Sequence, residues 1–202
     1  MAKTRSRRDL NLRRHIAYLA ARMMAEDGMA DFGAAKWKAA RQAGLEDANL
    51  LPDNQEIEAA LREYQGLYQK EDQPAHLRRL REVAVAVMRD FQDFRPALVG
   101  PVLNGTASQY SEVSLQLYAD DPKSLALFLL NRRHRYEEGT RRVRRADAWV
   151  EVPQFHLEVE GIPVTLTVLD RDDERLGAKG RGEAEGAQRA RLAEVEALLA
   201  GD

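Results

Sequence analysis

The strongest constraint on this chain is a change, about halfway along, in the period of its apolar residues. In the first half they recur every three or four residues, the spacing of one face of an α-helix. Leu77, Leu80, Ala84, Val87, Phe91 and Phe94 hold that spacing without a miss. In the second half, Val113, Leu115 and Leu117 alternate with Ser114, Gln116 and Tyr118. Residues 149–160 and 162–169 alternate again on either side of Gly161, the pattern of a β-hairpin. Period two turns one face of a strand inward and does nothing for a helix. Helices followed by strands imply segregated layers, so the expected class is α+β. The expected division is a helical bundle over 1–95 and a mixed sheet with flanking helices over 96–202.

Local signals place the elements. Leu12, Ile16, Leu19, Ala20 and Met23 predict a helix that closes near Gly28. A second is predicted over 32–42, stopped by Gly44. Asp53 and Asn54 signal an N-cap, after which Ile57, Leu61, Tyr64 and Tyr68 share a face. A polar break over 70–74 precedes the most regular helix, which Pro96 ends. That stripe covers fewer than three to four heptads, so it reads as a core-facing helix rather than a coiled-coil seam. Asp121-Pro122 opens another helix, and Leu192, Val195 and Leu199 mark a last one, supported by Glu185 four residues before Arg189. Residues 170–182 are charged and glycine-rich and are expected to lack order. Within them Gly177 to Gly182 (GAKGRG) lacks the Gly-Lys-Ser/Thr order of a phosphate loop and reads as linker.

Composition removes several function classes. The absence of cysteine excludes disulfides, thiolate zinc sites and a cysteine nucleophile. Lys and Arg total 31 against 33 acids, a net charge of −2, which excludes a globally basic nucleic-acid binder but not a local patch. No stretch reaches the ~18 apolar residues of a membrane span. The basic N-terminal segment is followed by apolar positions broken by Arg22 and Glu26, so no secretory signal is read and a cytoplasmic protein without membrane contact is expected.

The informative stretch is Gly100 to Leu117, GPVLNGTASQYSEVSLQL. Together with the order of elements over roughly 85–170, it resembles the nucleotidyltransferase (DNA polymerase beta-like) superfamily. In that family a strand ends in Gly-Ser or Gly-Gly at a helix start, where backbone N–H groups hold nucleotide phosphates. A following strand carries two acids one residue apart, and a neighbouring strand carries a third. Acids at alternate positions point to one side and grip two divalent metals. The resemblance implies nucleotide-binding roles for Gly100, Gly105 and Ser111, and a catalytic role for Glu112. It also exposes departures. Pro101 replaces Ser or Gly and removes an N–H. Ser114 stands at the second acid position and Thr165 at the third. A lone carboxylate is a poor Mg²⁺ anchor. The resemblance therefore implies a degenerate member that binds nucleotide or RNA with little or no transfer, with Mg²⁺ a cofactor only if activity survives.

Two alternatives stay open. One is an active metal-dependent transferase using relocated acids, drawn from Asp120, Asp121, Asp170, Asp172 and Asp173; capping and loop solvation account for the same residues. The other is a non-catalytic module whose helical half docks a protein partner. Arg132 to Arg145 holds seven arginines (Arg132, Arg133, Arg135, Arg141, Arg142, Arg144 and Arg145) against two glutamates, with His134 and Tyr136 between them. Such a run suits phosphate neutralisation and equally suits a solvated helix end and loop, paired with the acids after Leu169. The N-terminal cluster (Lys3, Arg5, Arg7, Arg8, Arg13, Arg14) reads as an exposed, flexible arm. His156 and Glu158, at i,i+2 on a strand, have the spacing of a metal pair but no visible third ligand. His15 and His76 read as helical core or surface residues, Trp37 and Trp149 as core or partly exposed packing residues.

Overall fold

The computed structural model of the chain describes residues 2–45, 50–145, 148–176 and 188–201. The helical period becomes α1 (Ala2–Glu26), α2 (Phe32–Gln42), α3 (Asn54–Tyr68) and α4 (Asp72–Asp90). The period-two segments become a sheet of β1 (Ala97–Val99), β2 (Val113–Tyr118), β3 (Tyr136–Arg145), β4 (Ala148–Val159) and β5 (Ile162–Leu169). Around the strands lie α5 (Pro101–Asn104), α6 (Pro122–Asn131), α7 (Arg171–Leu176) and α8 (Leu192–Gly201). The fold is α+β. Two compact units are present, 1–76 with 105–111 and 77–104 with 112–202. The second therefore begins inside α4, whereas the sequence pattern alone places the change near residue 96. None of the described helices is long and apolar enough to cross a membrane.

The first unit is built on small and branched side chains from three helices. Ile16, Leu19 and Ala20 of α1, Ala35, Ala39 and Ala40 of α2, and Ile57, Leu61 and Tyr64 of α3 form one buried cluster. Charges fix the α1–α3 contact. Arg13 Nε donates to both Glu56 carboxylate oxygens at 2.8 Å, and a terminal guanidinium nitrogen lies 2.7 Å from Oε2. Glu56 also completes a capping box: it accepts from the Asp53 N–H at 2.7 Å, while Asp53 Oδ1 accepts from the Glu56 N–H at 2.8 Å. The hydrogen bonds from Arg13 hold the Glu56 carboxyl below the usual carboxylate range, with the Asp53 N–H adding to the effect. Segment 105–111 is bound in by two glutamines. The buried Gln65 amide donates to the Thr106 and Ala107 carbonyls at 3.1 and 3.2 Å, and Gln73 donates to Gly105 and Ala107 at 3.0 and 3.2 Å. Gly28 is required twice over. Its φ is +69°, and a Cβ there would lie 2.8 Å from the Tyr110 ring.

In the second unit the strand order is β1-β2-β5-β4-β3. The β1–β2, β5–β4 and β4–β3 pairs are antiparallel, while β2 and β5 run parallel. A parallel pair needs a crossover, supplied here by everything from α6 through β4. Glu160 (φ +53°) and Gly161 (φ +78°) make the two-residue turn of the β4–β5 hairpin. Val113, Leu115 and Leu117 of β2 and Val164, Leu166 and Val168 of β5 line one buried face. Ring contacts join the residue after α4 to α6, with Phe91 and Phe128 centroids 5.1 Å apart. Helix α6 opens on Asp121, which accepts from the Lys123 N–H. It closes with the His134 N–H donating to Leu129 O and Arg133 in the left-handed region at φ +58°.

Several sequence expectations need correction. The run Arg132–Arg145 is not a helix end followed by loop: from Tyr136 it is strand β3, ten residues in register with β4. The N-terminal cluster is no flexible arm but part of α1, where lysine, arginine, alanine and leucine are good helix formers. The break expected over 70–74 is shorter, since α4 starts at Asp72 and carries Pro74 in its first turn, where a missing N–H costs little. At the far end, α4 stops at Asp90, and Gln92–Phe94 form a 3₁₀ turn before Arg95 at φ +49°. Residues 171–176, expected without order, form α7. Trp37 and Trp149, expected in the core or in partly exposed packing, are exposed at 48% and 61%. Gly177–Gly182 and Glu185 lie outside the described residues.

Two outcomes are expected. Gly28→Ala should destabilise the chain by about 2 kcal/mol, through an αL alanine pressed on a ring; a urea midpoint equal to wild type would refute this role. Glu56→Gln should lower the melting temperature at neutral pH, with the loss of a cap and ion pair amounting to about 1 kcal/mol. Because the folded-state pKa of Glu56 is depressed, its contribution is full above the ordinary glutamate pKa of about 4.3 and fades as pH falls through the folded value. The gap between wild type and variant should therefore close in acid. A gap independent of pH would contradict the assignment.

Candidate functional site on the polar face of the sheet

Alternation along β2 and β5 sends Glu112, Ser114 and Gln116, and Thr165 and Thr167, to the side of the sheet opposite Val113, Leu115, Val164 and Leu166. The register aligns them. Ser114 pairs with Thr165, Thr165 with His156, and His156 with Glu137, a polar row crossing β2, β5, β4 and β3. One step along, Gln116 pairs with Thr167 and Thr167 with Gln154. Thr165, Thr167 and Gln116 are buried, Ser114 is half-buried, and Glu112, His156 and Glu137 are exposed. Buried polar groups need partners, and these have them. His156 Nδ1 is 3.0 Å from Thr165 Oγ1. Gln154 donates to Thr167 Oγ1 at 3.0 Å and the Tyr118 hydroxyl to Gln116 Oε1 at 3.2 Å. Ser114 Oγ lies 3.4 Å from Glu112 Oε1.

An apolar patch closes the β1 and β3 ends of this face: Ala97, Tyr118, Leu169, Val152 and Val143. The Arg191 guanidinium lies 5.2 Å from the Tyr118 ring centroid. It is held by Glu174 at 2.5 Å and by the carbonyls of Arg95 and Pro96 at 2.5 and 3.3 Å.

Gly100 follows β1 with φ +75°, and the space a Cβ would take is open. After it comes α5, a single turn that opens on Pro101 and so lacks that N–H. The other two expected nucleotide-binding residues fall in the first unit. There the Ser111 hydroxyl accepts from the Ser108 N–H at 2.9 Å, and the Gly105 carbonyl accepts from Gln73. Both are engaged in holding their own loop.

Four of the five acids considered as substitutes have structural partners. Asp120 pairs with Arg171 at 3.2 Å, Asp121 caps α6, and Asp170 Oδ1 accepts from the Asp172 N–H at 3.1 Å. Asp173 accepts from the Asp170 N–H at 3.2 Å. Glu174, expected to meet the arginine run, pairs instead with Arg95 and Arg191. Among the described residues no three His, Asp or Glu side chains gather as a metal-holding group. His156 and Glu158 share a face, and His156 is engaged by Thr165. His15 is exposed, while His76 is half-buried, its Nε2 having no hydrogen-bond partner among the described residues.

The arginine run separates into three settings. Arg132 pairs with Asp90 at 3.0 Å and covers the Phe128 ring, with His134 on the other Asp90 oxygen at 3.2 Å. Arg133 supplies the left-handed residue that ends α6, and the exposed Arg135 links it to β3. Arg141 and Arg142 lie exposed on β3, with Arg144 and Arg145 in register with Trp149 and Ala148.

Chemically the polar face offers hydroxyls, amides, one imidazole and the exposed carboxylates of Glu112, Glu137 and Glu158, which do not gather as a metal-holding group among the described residues. It can exchange hydrogen bonds with a polar ligand but lacks the concentrated negative charge that two divalent cations require. Sequence reading singled out Ser114, Thr165, Glu112 and His156 but passed over Gln116, Thr167, Gln154 and Glu137. The available signal was the polar half of the same period-two pattern. No family model, curated protein or solved structure matches the chain.

Proposed function

We propose that this protein is a degenerate member of the nucleotidyltransferase group that binds nucleotide or RNA and transfers nucleotidyl groups slowly or not at all. The observation that carries the reading is the pairing of Ser114 with Thr165 on adjacent parallel strands. These are the two positions at which the resemblance implies acids, and here they bear neutral hydroxyls on one face beside Glu112. A hydroxyl donates and accepts hydrogen bonds but brings no charge to a cation, and Thr165 is already held by His156. Binding survives such a change better than metal-assisted transfer, because transfer needs charge on the attacking and leaving oxygens while binding needs only complementary donors and acceptors.

Purified protein incubated with labelled nucleoside triphosphates and Mg²⁺ or Mn²⁺ should give no transfer, while nucleotide or RNA at low salt should raise its melting temperature. Transfer abolished by Glu112→Gln would overturn the degenerate assignment, and a folded protein that binds neither ligand would overturn the binding one. Wild type should bind Mg²⁺ weakly or not at all by calorimetry. The double variant Ser114→Asp, Thr165→Asp sets three carboxylates on adjacent strands and should gain Mg²⁺ affinity. A tight two-ion site in wild type that vanishes in Glu112→Gln would be the contrary result.

A further inference from the structure

Strand β4 pairs with β5 only from Gln154 onward. Its earlier residues, 148–152, pair with 141–145 alone, so the β3–β4 hairpin runs on past the neighbouring strand as a two-stranded ribbon. β3 is also the outer strand of the sheet. One face of this ribbon is anchored: Val143, Val150 and Val152 pack with Tyr118 and Leu169. The other face points outward and carries Trp149, 61% exposed. Arg142 and Glu151, register partners and both exposed, share that outward face, and Arg144 stands opposite Trp149 in the register. Arg142 makes no ion pair among the described residues.

A large aromatic ring held in water on a strand gains nothing for the fold from its exposed surface. A base stacked on it would bury that surface, and every base has a π-face to offer. Diagonal positions on an antiparallel pair lie about 7–8 Å apart, which places the Arg142 guanidinium within reach of the phosphate adjoining a base on Trp149. A duplex keeps its bases stacked inside, so this pairing of one exposed ring with nearby arginines suits an unpaired strand. A lipid surface fits less well, because the exposed Glu151 stands two residues along β4 from the ring on the same face, with Arg142 as its register partner.

Resting on the nucleic-acid-binding reading above, we propose that the ribbon formed by 141–145 and 148–152 holds a single-stranded nucleic acid, with Trp149 stacked on a base and Arg142 on the adjacent phosphate. Glu151, facing Arg142 across the register, opposes that phosphate and limits the affinity.

The test is a fluorescence titration in a Trp37→Phe background, which leaves Trp149 as the reporter. The probes are oligouridylate and oligodeoxythymidylate of about 12 nucleotides, within the usual site size of single-strand binders. Quenching at low salt is expected with at least one, and the tighter of the two identifies RNA or DNA as the source. In the native-tryptophan chain, followed by anisotropy of a labelled probe, Trp149→Ala should weaken binding about 10- to 100-fold, while Trp149→Phe keeps most of it. Arg142→Ser should flatten the salt slope by up to ~0.7 units, the limit of one phosphate on a single strand. Glu151→Gln should tighten binding. Circular dichroism and thermal melting check that each variant is folded. If wild type binds a probe and Trp149→Ala binds it equally well, the ribbon assignment fails and the broader reading stands. The ribbon assignment fails too if a duplex of the same length, or base-free polyphosphate, binds as tightly as the single strand. If folded wild type binds neither oligonucleotide nor nucleotide at low salt, the broader reading fails and this one with it.

Discussion

The parallel pairing of β2 with β5 is the constraint on which the second unit depends. It joins segments about fifty residues apart, and everything between them must leave the sheet and return. Helix α6 carries the chain away, and the β3–β4 hairpin brings it back along the free side of β5. Six consecutive register pairs, Val113–Val164 through Tyr118–Leu169, hold the two strands without slippage. A slip of one residue would exchange Leu115 and Leu166 for Ser114 and Thr165 on the buried apolar face. The same pairing creates the polar row, because it sets Ser114 beside Thr165 and lets β4 add His156 and Gln154. Core and candidate site are two faces of one register.

The buried positions of that face carry no charge. The buried polar groups Gln116, Thr165 and Thr167 are neutral, and neutral groups are satisfied with one or two hydrogen bonds at modest desolvation cost. The charged pairs sit where water still reaches them. Asp90 meets Arg132 and His134, and Glu174 meets Arg95 and Arg191. Even the Arg13–Glu56 pair in the first unit retains exposure, and its value lies in fixing where α3 begins relative to α1 as much as in Coulomb energy.

Much of this was legible in the sequence, and the exceptions have physical causes. Helices α2 and α6 could be placed from Gly44 and from Asp121-Pro122, because caps and stops act locally. The β4–β5 hairpin could be placed from Gly161, which permits the positive φ of a tight turn. Strand β3 could not. Among the residues of Tyr136–Arg145 whose burial is described, only Val143 is buried, since an outer strand on a projecting ribbon has little core to face and so shows no alternation of apolar residues. Its identity comes from pairing with β4, a non-local fact. Helix α7 escaped for a similar reason: its polar residues carry no stripe, and it is held by the Arg95–Glu174–Arg191 network, which joins residues distant in sequence. At the polar face, Ser114 and Thr165 were visible as departures from an expected pattern. Gln154 and Glu137 became visible only once the register placed them beside those residues.

The outer position of β3 has a consequence for how this protein behaves in company with itself. A strand at the rim of a sheet presents unpaired backbone groups to any passing strand, including the same strand of another molecule. Here that rim carries the exposed Arg142, and two copies in a parallel, in-register approach would set these like charges side by side. Their mutual repulsion grows as the strands close, before the backbone bonds can form. Charged side chains on an outer strand are one of the devices by which sheets discourage edge-to-edge pairing.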